Sequence, residues 1–253
     1  MTTLTAKWNF PTTVLFGPGR IKELSAVLKA AGIEHPLFVT DPGLARLPVV
    51  ASTLAVLDAA GTGMDALAHC LEAYCAPGFH PMADGIAVEG IRLVFENLPK
   101  AYANGGDIEA RANMMAAAAM GATAFQKGLG AIHSLSHPIG ALYDTHHGMT
   151  NAVFMPYVLH HNRAAIEKRI ARLADYLGIE GGFDGFVDAI MKLRAELGVP
   201  HTLPDLIKNL QMDNARKELI AEMAVADPTA GGNPVELTKN DALKLLNAAL
   251  EGR

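Results

Sequence analysis

Apolar residues recur at steps of three and four over most of this chain, a period that predicts helices. It is carried by residues 64–74, 83–95, 108–125, 164–177, 183–197 and 215–226. Thr238 followed by Asp241 resembles a capping box, and it predicts a last helix with Leu243, Leu246 and Leu250 inward. The first sixty residues read differently. Residues 13–16 (TVLF) predict a strand closed by the turn Gly17-Pro18-Gly19, and residues 37–40 (LFVT) a second strand ending at Asp41-Pro42-Gly43. Between them Ile21, Leu24, Val27 and Leu28 are spaced as on a helix, and a further helix is predicted from about Leu44 or Pro48 to Ala60. This β-α-β-α order opens a parallel sheet with crossover helices. No third strand, repeat or low-complexity linker follows.

Two strands are too few for an independent sheet. The chain starts an α/β unit that it does not finish, so these strands either pair with another chain or are poorly ordered. The expected division is 1–60 and 61–253, an α/β remnant followed by a mainly α-helical domain, mostly α overall.

Composition narrows the classes of function. Of 253 residues, half are hydrophobic and 19% charged, which fits a globular protein rather than a disordered one. A net charge of −5 gives no electrostatic case for nucleic acid or an anionic membrane as partner. The amino-terminal MTTLTAKWNFP has no apolar core of signal-peptide length, and the longest apolar run, residues 114–125, is interrupted by glycine and too short to span a bilayer. A soluble, cytoplasmic protein is expected. Cys70 and Cys75 fall on different faces of a helix and read as small buried hydrophobes.

The chemistry concentrates in "AIHSLSHPIGALYDTHHGM", which places His133, His137, His146 and His147 within nineteen residues. His133 and His137 stand four apart on one helical face, in an apolar setting where two imidazoles are costly to bury without partners. Pro138 predicts that the helix breaks or restarts just after them. His146 and His147 precede Gly148 in a predicted loop, and one of the pair could return to the same centre. Asp65 and His69, in "GTGMDALAHCLEAY", repeat the four-residue spacing and can converge on one ion. They read equally as a surface pair, or as Asp65 stabilising a helix start.

Three imidazoles and one carboxylate suit Fe(II), Zn(II), Ni(II) or Mn(II), whereas a structural zinc site would be richer in cysteine. Spacing leaves open which of the four histidines bind. The remaining candidates are weaker. His160 and His161 are expected at the solvated end of a short helical stretch, and His35, His80 and His201 sit in turns near prolines. Met114, Met115 and Met120 are expected as core filler. Asp41 follows a strand end, where a dinucleotide fold places a ribose-binding carboxylate and an ordinary turn also places Asp.

At these residues the sequence resembles the iron-containing (group III) alcohol dehydrogenase family. One block runs from "FPTTVLFGPGRIKEL" to "PLFVTDPGLA"; a second runs from "GTGMDALAHCLEAY" through "GLGAIHSLSHPIGALYDTHHGMTNAVFMPYVLHHN" to "DPTAGGNPVELTKNDALKLL". The resemblance implies that Asp65, His69, His133 and His147 hold a divalent metal, iron first and zinc as the alternative. It implies that His137 is a non-ligating proton-relay histidine near nicotinamide and substrate, that His146 is a neighbour, and that Asp41 meets the adenosine ribose. The implied reaction is NAD(P)-linked oxidation of an alcohol to an aldehyde or ketone, with a small-molecule substrate and room for a homo-oligomer.

The chain departs from the family between the two blocks. The family's glycine-rich pyrophosphate loop and its Thr/Ser-rich loop are both missing, because "LPVVASTLAVLDAAG" runs directly into "TGMDALAHC". This looks like an internal deletion joined near residues 58–63, removing most of the dinucleotide-binding domain and predicting weak or absent NAD(P) binding. The alternative to a dehydrogenase is then a cofactor-incompetent metal-binding helical module.

Overall fold

The computed structural model describes the backbone of residues 50–253 and side chains from Ala59 onward. The two predicted strands, the helix between them, His35 and Asp41 lie outside the described residues. What is described is helical throughout: α1 (Val50–Cys75), α2 (Pro81–Ala103), α3 (Ile108–Ala124), a 3-10 turn (Phe125–Lys127), α4 (Ala131–Tyr143), α5 (His147–Leu177), α6 (Gly182–Glu196), α7 (Leu203–Leu206), α8 (Asn214–Ala226), a second 3-10 turn (Pro228–Gly232) and α9 (Lys239–Glu251). The described part is therefore a mainly α-helical fold.

α1 is the central element, touching α2, α3 and α5. Ala60, Met64, Leu67, Ala68, Leu71 and Tyr74 are all buried, so the helix is covered on nearly every side, as its apolar sequence requires. Gly61 and Gly63 do not interrupt it, although the sequence pattern separates two helices there. Their missing side chains instead admit close neighbours. A Cβ at Gly61 would lie 2.2 Å from the His146 ring, and one at Gly63 would lie 2.2 Å from Leu98.

Two further expectations are corrected by packing. Pro138 lies inside α4, which continues to Tyr143 rather than breaking. An interior proline costs about 3 kcal/mol, but residues 131–136, Pro138 and Ile139 are all buried and hold the helix in place. Helix α5 starts at His147 and runs unbroken through Pro156, so His160 and His161 are mid-helix rather than at a helix end. His160 is nevertheless exposed, with its ring edge against Phe183.

The predicted last helix is present, capped by Thr238, whose hydroxyl accepts from the Asp241 N–H at 3.2 Å. Its buried stripe is Ala242, Leu245, Leu246 and Ala249, with Leu243 and Leu250 packed at the margin. Met114 packs against the core, but Met115 is 61% exposed and is not core filler. Both cysteines are buried, and burial pushes each thiol up to about 12.

Candidate metal centre

Three helices bring the site together. α1 supplies Asp65 and His69 one turn apart, α4 supplies His133 and His137 one turn apart, and α5 supplies His147 at its first residue. The link between α4 and α5 is short because Asp144 takes the left-handed conformation (φ 50°) and stops α4, while His146 caps α5 by accepting from the Met149 N–H at 3.4 Å. The chain thereby turns back within three residues and sets His147 over His133. His146, read from sequence as a neighbour, is a helix cap.

Asp65, His133 and His147 each direct one ligand atom into a common space, and these atoms lie within 4.8 Å of one another. Asp65 Oδ1 is 3.6 Å from His133 Nε2 and 3.4 Å from His147 Nε2. His69 flanks this trio, with Nδ1 3.6 Å from Asp65 Oδ2 and its ring stacked on His133 at 4.6 Å between centroids. His137 also joins the cluster, its ring stacked on His147 at 5.3 Å. Of the six residues singled out for chemistry, five converge here. The sixth, Asp41, lies outside the described residues.

Three residues that the sequence reading passed over hold the cluster from behind. Glu72 on α1 accepts from His133 Nδ1–H at 2.6 Å and from the Ile132 N–H at 2.7 Å. Asn151 on α5 donates from its amide to Asp65 Oδ1 at 2.8 Å and stands 3.1 Å from His147 Nε2 and 3.3 Å from His133 Nε2. Its oxygen accepts from the Ser136 hydroxyl. Asp227, which caps the second 3-10 turn, accepts from His137 Nδ1–H at 2.8 Å. Spacing signals existed for two of them: Glu72 follows Asp65 by seven residues and His69 by three, and Asn151 follows His147 by four, each on one helical face. Asp227 carries no such spacing cue.

Electrostatics separate the three histidines. Burial opposes the charge on His133, but Asp65 and Glu72 outweigh it and raise the imidazole to about 9. His69 and His147 are lowered by burial, with Asp65 only partly offsetting it. Burial alone would push the Asp65 carboxyl up; His133, then His69 and His147, hold it below its usual range. The result is an anionic oxygen facing imidazole nitrogens in a half-buried pocket. An N/O donor set of this kind fits a divalent ion of intermediate softness. The Asn151 amide stands between two of these ring nitrogens, those of His133 and His147, and Asp65 Oδ1.

Comparisons with known proteins point the same way. The sequence model described as "Fe-containing alcohol dehydrogenase family, C-terminal" matches residues 59–250. The 4-hydroxybutyrate dehydrogenase of Cupriavidus necator is 38% identical over 200 residues, covering 76% of this chain and 51% of that protein. The NADPH-dependent butanol dehydrogenase of Clostridium saccharobutylicum is 32% identical over 229 residues, covering 87% of this chain and 58% of that protein. Among solved structures, the iron-containing alcohol dehydrogenase from Thermococcus thioreducens superposes with a TM-score of 0.71 at 32% identity, over 77% of this chain and 51% of that one. The chain thus spans about half the length of the curated relatives it matches.

Proposed function

The chain belongs to the Fe-containing alcohol dehydrogenase family, and from that premise we propose that it works as the metal centre of an NAD(P)-linked alcohol dehydrogenase acting on a small alcohol or aldehyde. The observation that carries this reading is the convergence of Asp65, His133 and His147 ligand atoms from three helices. Asp65, His69, His133 and His147 would hold the divalent ion, iron(II) in first place and zinc in second. Such an ion supplies Lewis acidity, stabilising an alkoxide or polarising a carbonyl oxygen.

The chain's own residues then do the rest. His137 would pass the substrate proton, because its Nδ1–H is tied to Asp227 Oδ2 at 2.8 Å, which orients the ring and reserves Nε2 for a reacting oxygen. The ring of His137 stacks on that of His147, and its tie to Asp227 supports reading it as a neighbour of the ligands. Asp41 would meet the adenosine ribose. The described residues present no glycine-rich strand-turn-helix cradle for a pyrophosphate, so NAD(P) enters this reading as the family's hydride carrier with no residue described that grips it.

The division into a shortened nucleotide-binding segment over 1–60 and a metal-binding domain over 61–253 belongs to the same proposal, as do a cytoplasmic site of action and a homo-oligomeric state. No described helix is long and apolar enough to cross a membrane. A second reading, a metal-binding module without cofactor competence, is favoured by the direct run from "LPVVASTLAVLDAAG" into "TGMDALAHC". NAD(P)H fluorescence titration of the metal-loaded chain, followed by assay with a panel of short alcohols, separates the two. Alcohol-dependent NAD(P) reduction that disappears in His133→Ala supports the dehydrogenase. No binding up to millimolar cofactor leaves the metal module.

A further inference from the structure

We propose that Glu72 is a positioning residue of the metal centre, holding the His133 proton on Nδ1 so that Nε2, beside Asp65 and His147, is the nitrogen offered to a bound ion; this rests on the metal-binding reading above. The Glu72 carboxylate is only 6% exposed, yet both of its oxygens are used. Oε1 accepts from the Ile132 N–H at 2.7 Å, and Oε2 accepts from His133 Nδ1–H at 2.6 Å. Ile132 is the second residue of α4, so its N–H is one of the donors that a helix start leaves unpaired. Capping α4 therefore explains one oxygen. It does not explain why the other is aimed at an imidazole.

An ionised carboxylate has no proton to donate, so the partner nitrogen must carry it. With Nδ1 protonated, a neutral His133 ring has its lone pair at Nε2, the atom 3.6 Å from Asp65 Oδ1. Carboxylate-to-histidine contacts behind a metal ligand set the tautomer and ring orientation in this way and strengthen the ligand as a donor. The arrangement is also economical in sequence, since α1 delivers the ligand Asp65 and the support for His133 from one helical face. His69, between them, stacks on the same ring that Glu72 holds.

Glu72→Gln is the informative change because it keeps size and shape but not acceptance at both atoms. If the amide oxygen stays with Ile132, the NH2 group faces His133 Nδ1 and draws the ring into the tautomer with Nε2 protonated. If the amide rotates, the NH2 group abuts the Ile132 N–H. The test is a competition titration of zinc against a chromophoric chelator, on the full chain, in wild type, Glu72→Gln, His133→Ala and the double variant. Glu72→Gln is expected to weaken zinc about 10- to 100-fold in the presence of His133, and to change it less than about twofold in the His133→Ala background.

Equal losses in both backgrounds, or none in either, would overturn the proposal. Long-range 1H–15N correlation spectra of the zinc-loaded, histidine-labelled wild type give a readout that does not depend on any variant folding. His133 should bear its proton at Nδ1, and a proton at Nε2 would refute the assignment of Glu72. A wild type that takes up no zinc would instead bring down the metal-binding reading itself.

Discussion

Gly148, directly after His147, sits where α5 crosses α1. A Cβ at this position would lie 2.0 Å from the Gly61 carbonyl oxygen and 3.0 Å from Asp65 Cβ. Contacts of a Cβ below 3.0 Å do not occur, and the Gly61 carbonyl is backbone that cannot swing aside. Gly148→Ala must therefore move α5 away from α1 by about 1 Å at the crossing, an overpacking cost of about 1–3 kcal/mol.

The same displacement reaches the site, because His147 Nε2 and Asp65 Oδ1, 3.4 Å apart, ride on the two helices being separated. Metal–ligand distances tolerate only about 0.2 Å, so zinc affinity should fall tenfold or more. Thermal unfolding of the metal-free chain, followed by circular dichroism, reads the first effect, and a chelator competition titration reads the second. Gly140→Ala serves as the control. It lies within α4 with nothing within 4 Å of the added carbon, and should be neutral or stabilising by up to about 1 kcal/mol. Gly148→Ala as stable as Gly140→Ala, with zinc affinity within twofold of wild type, would refute this packing argument.

Other outcomes follow from the charges and the core. In the metal-free chain His133 is raised from 6.5 to about 9. Its contribution to stability is therefore complete below pH 6.5 and lost as pH rises through 9, a difference of about 3 kcal/mol. Urea unfolding of the metal-free chain at pH 6.5 and 9.5 checks it, and zinc affinity should climb over the same interval as that proton is displaced. Asp84 pairs with Lys127 and Arg169, each at 2.6 Å, and the Lys127 side chain is only 2% exposed. Asp84→Ala should cost about 3 kcal/mol by leaving a buried ammonium without its carboxylate, measurable by the same urea titration. Cys70 and Cys75, both buried with thiols pushed up to about 12, should resist iodoacetamide at pH 8 in the native chain and react in urea, as mass spectrometry would show.

Much of the described fold was legible because its helices bury amphipathic or wholly apolar stripes, and the period of residues 183–197 or 215–226 shows in the sequence. The extent of the helices was not. Gly61, Gly63, Pro138 and Pro156 read locally as breaks, yet tertiary burial holds α1, α4 and α5 through them. Four-residue spacing brought Asp65, His69, His133 and His137 into view, since a helix face converts spacing into proximity. It could not decide between His146 and His147, because that depends on Asp144 adopting φ 50° and turning the chain within three residues. Asp227 escaped for a plainer reason: it reaches His137 across 90 residues of sequence, through helix packing that no local pattern encodes. Asn151 stands four residues after His147, but its bond to Asp65 spans 86 residues and depends on the same packing.

The most direct test is elemental analysis of the purified chain after loading with iron(II) or zinc and exhaustive dialysis, beside His133→Ala and His147→Ala. One tightly held ion per chain in the wild type is expected, with the content of each variant falling below about a tenth while helical circular dichroism is retained. A wild type that keeps no metal, or variants that keep as much as the wild type, would contradict a metal centre built from Asp65, His69, His133 and His147.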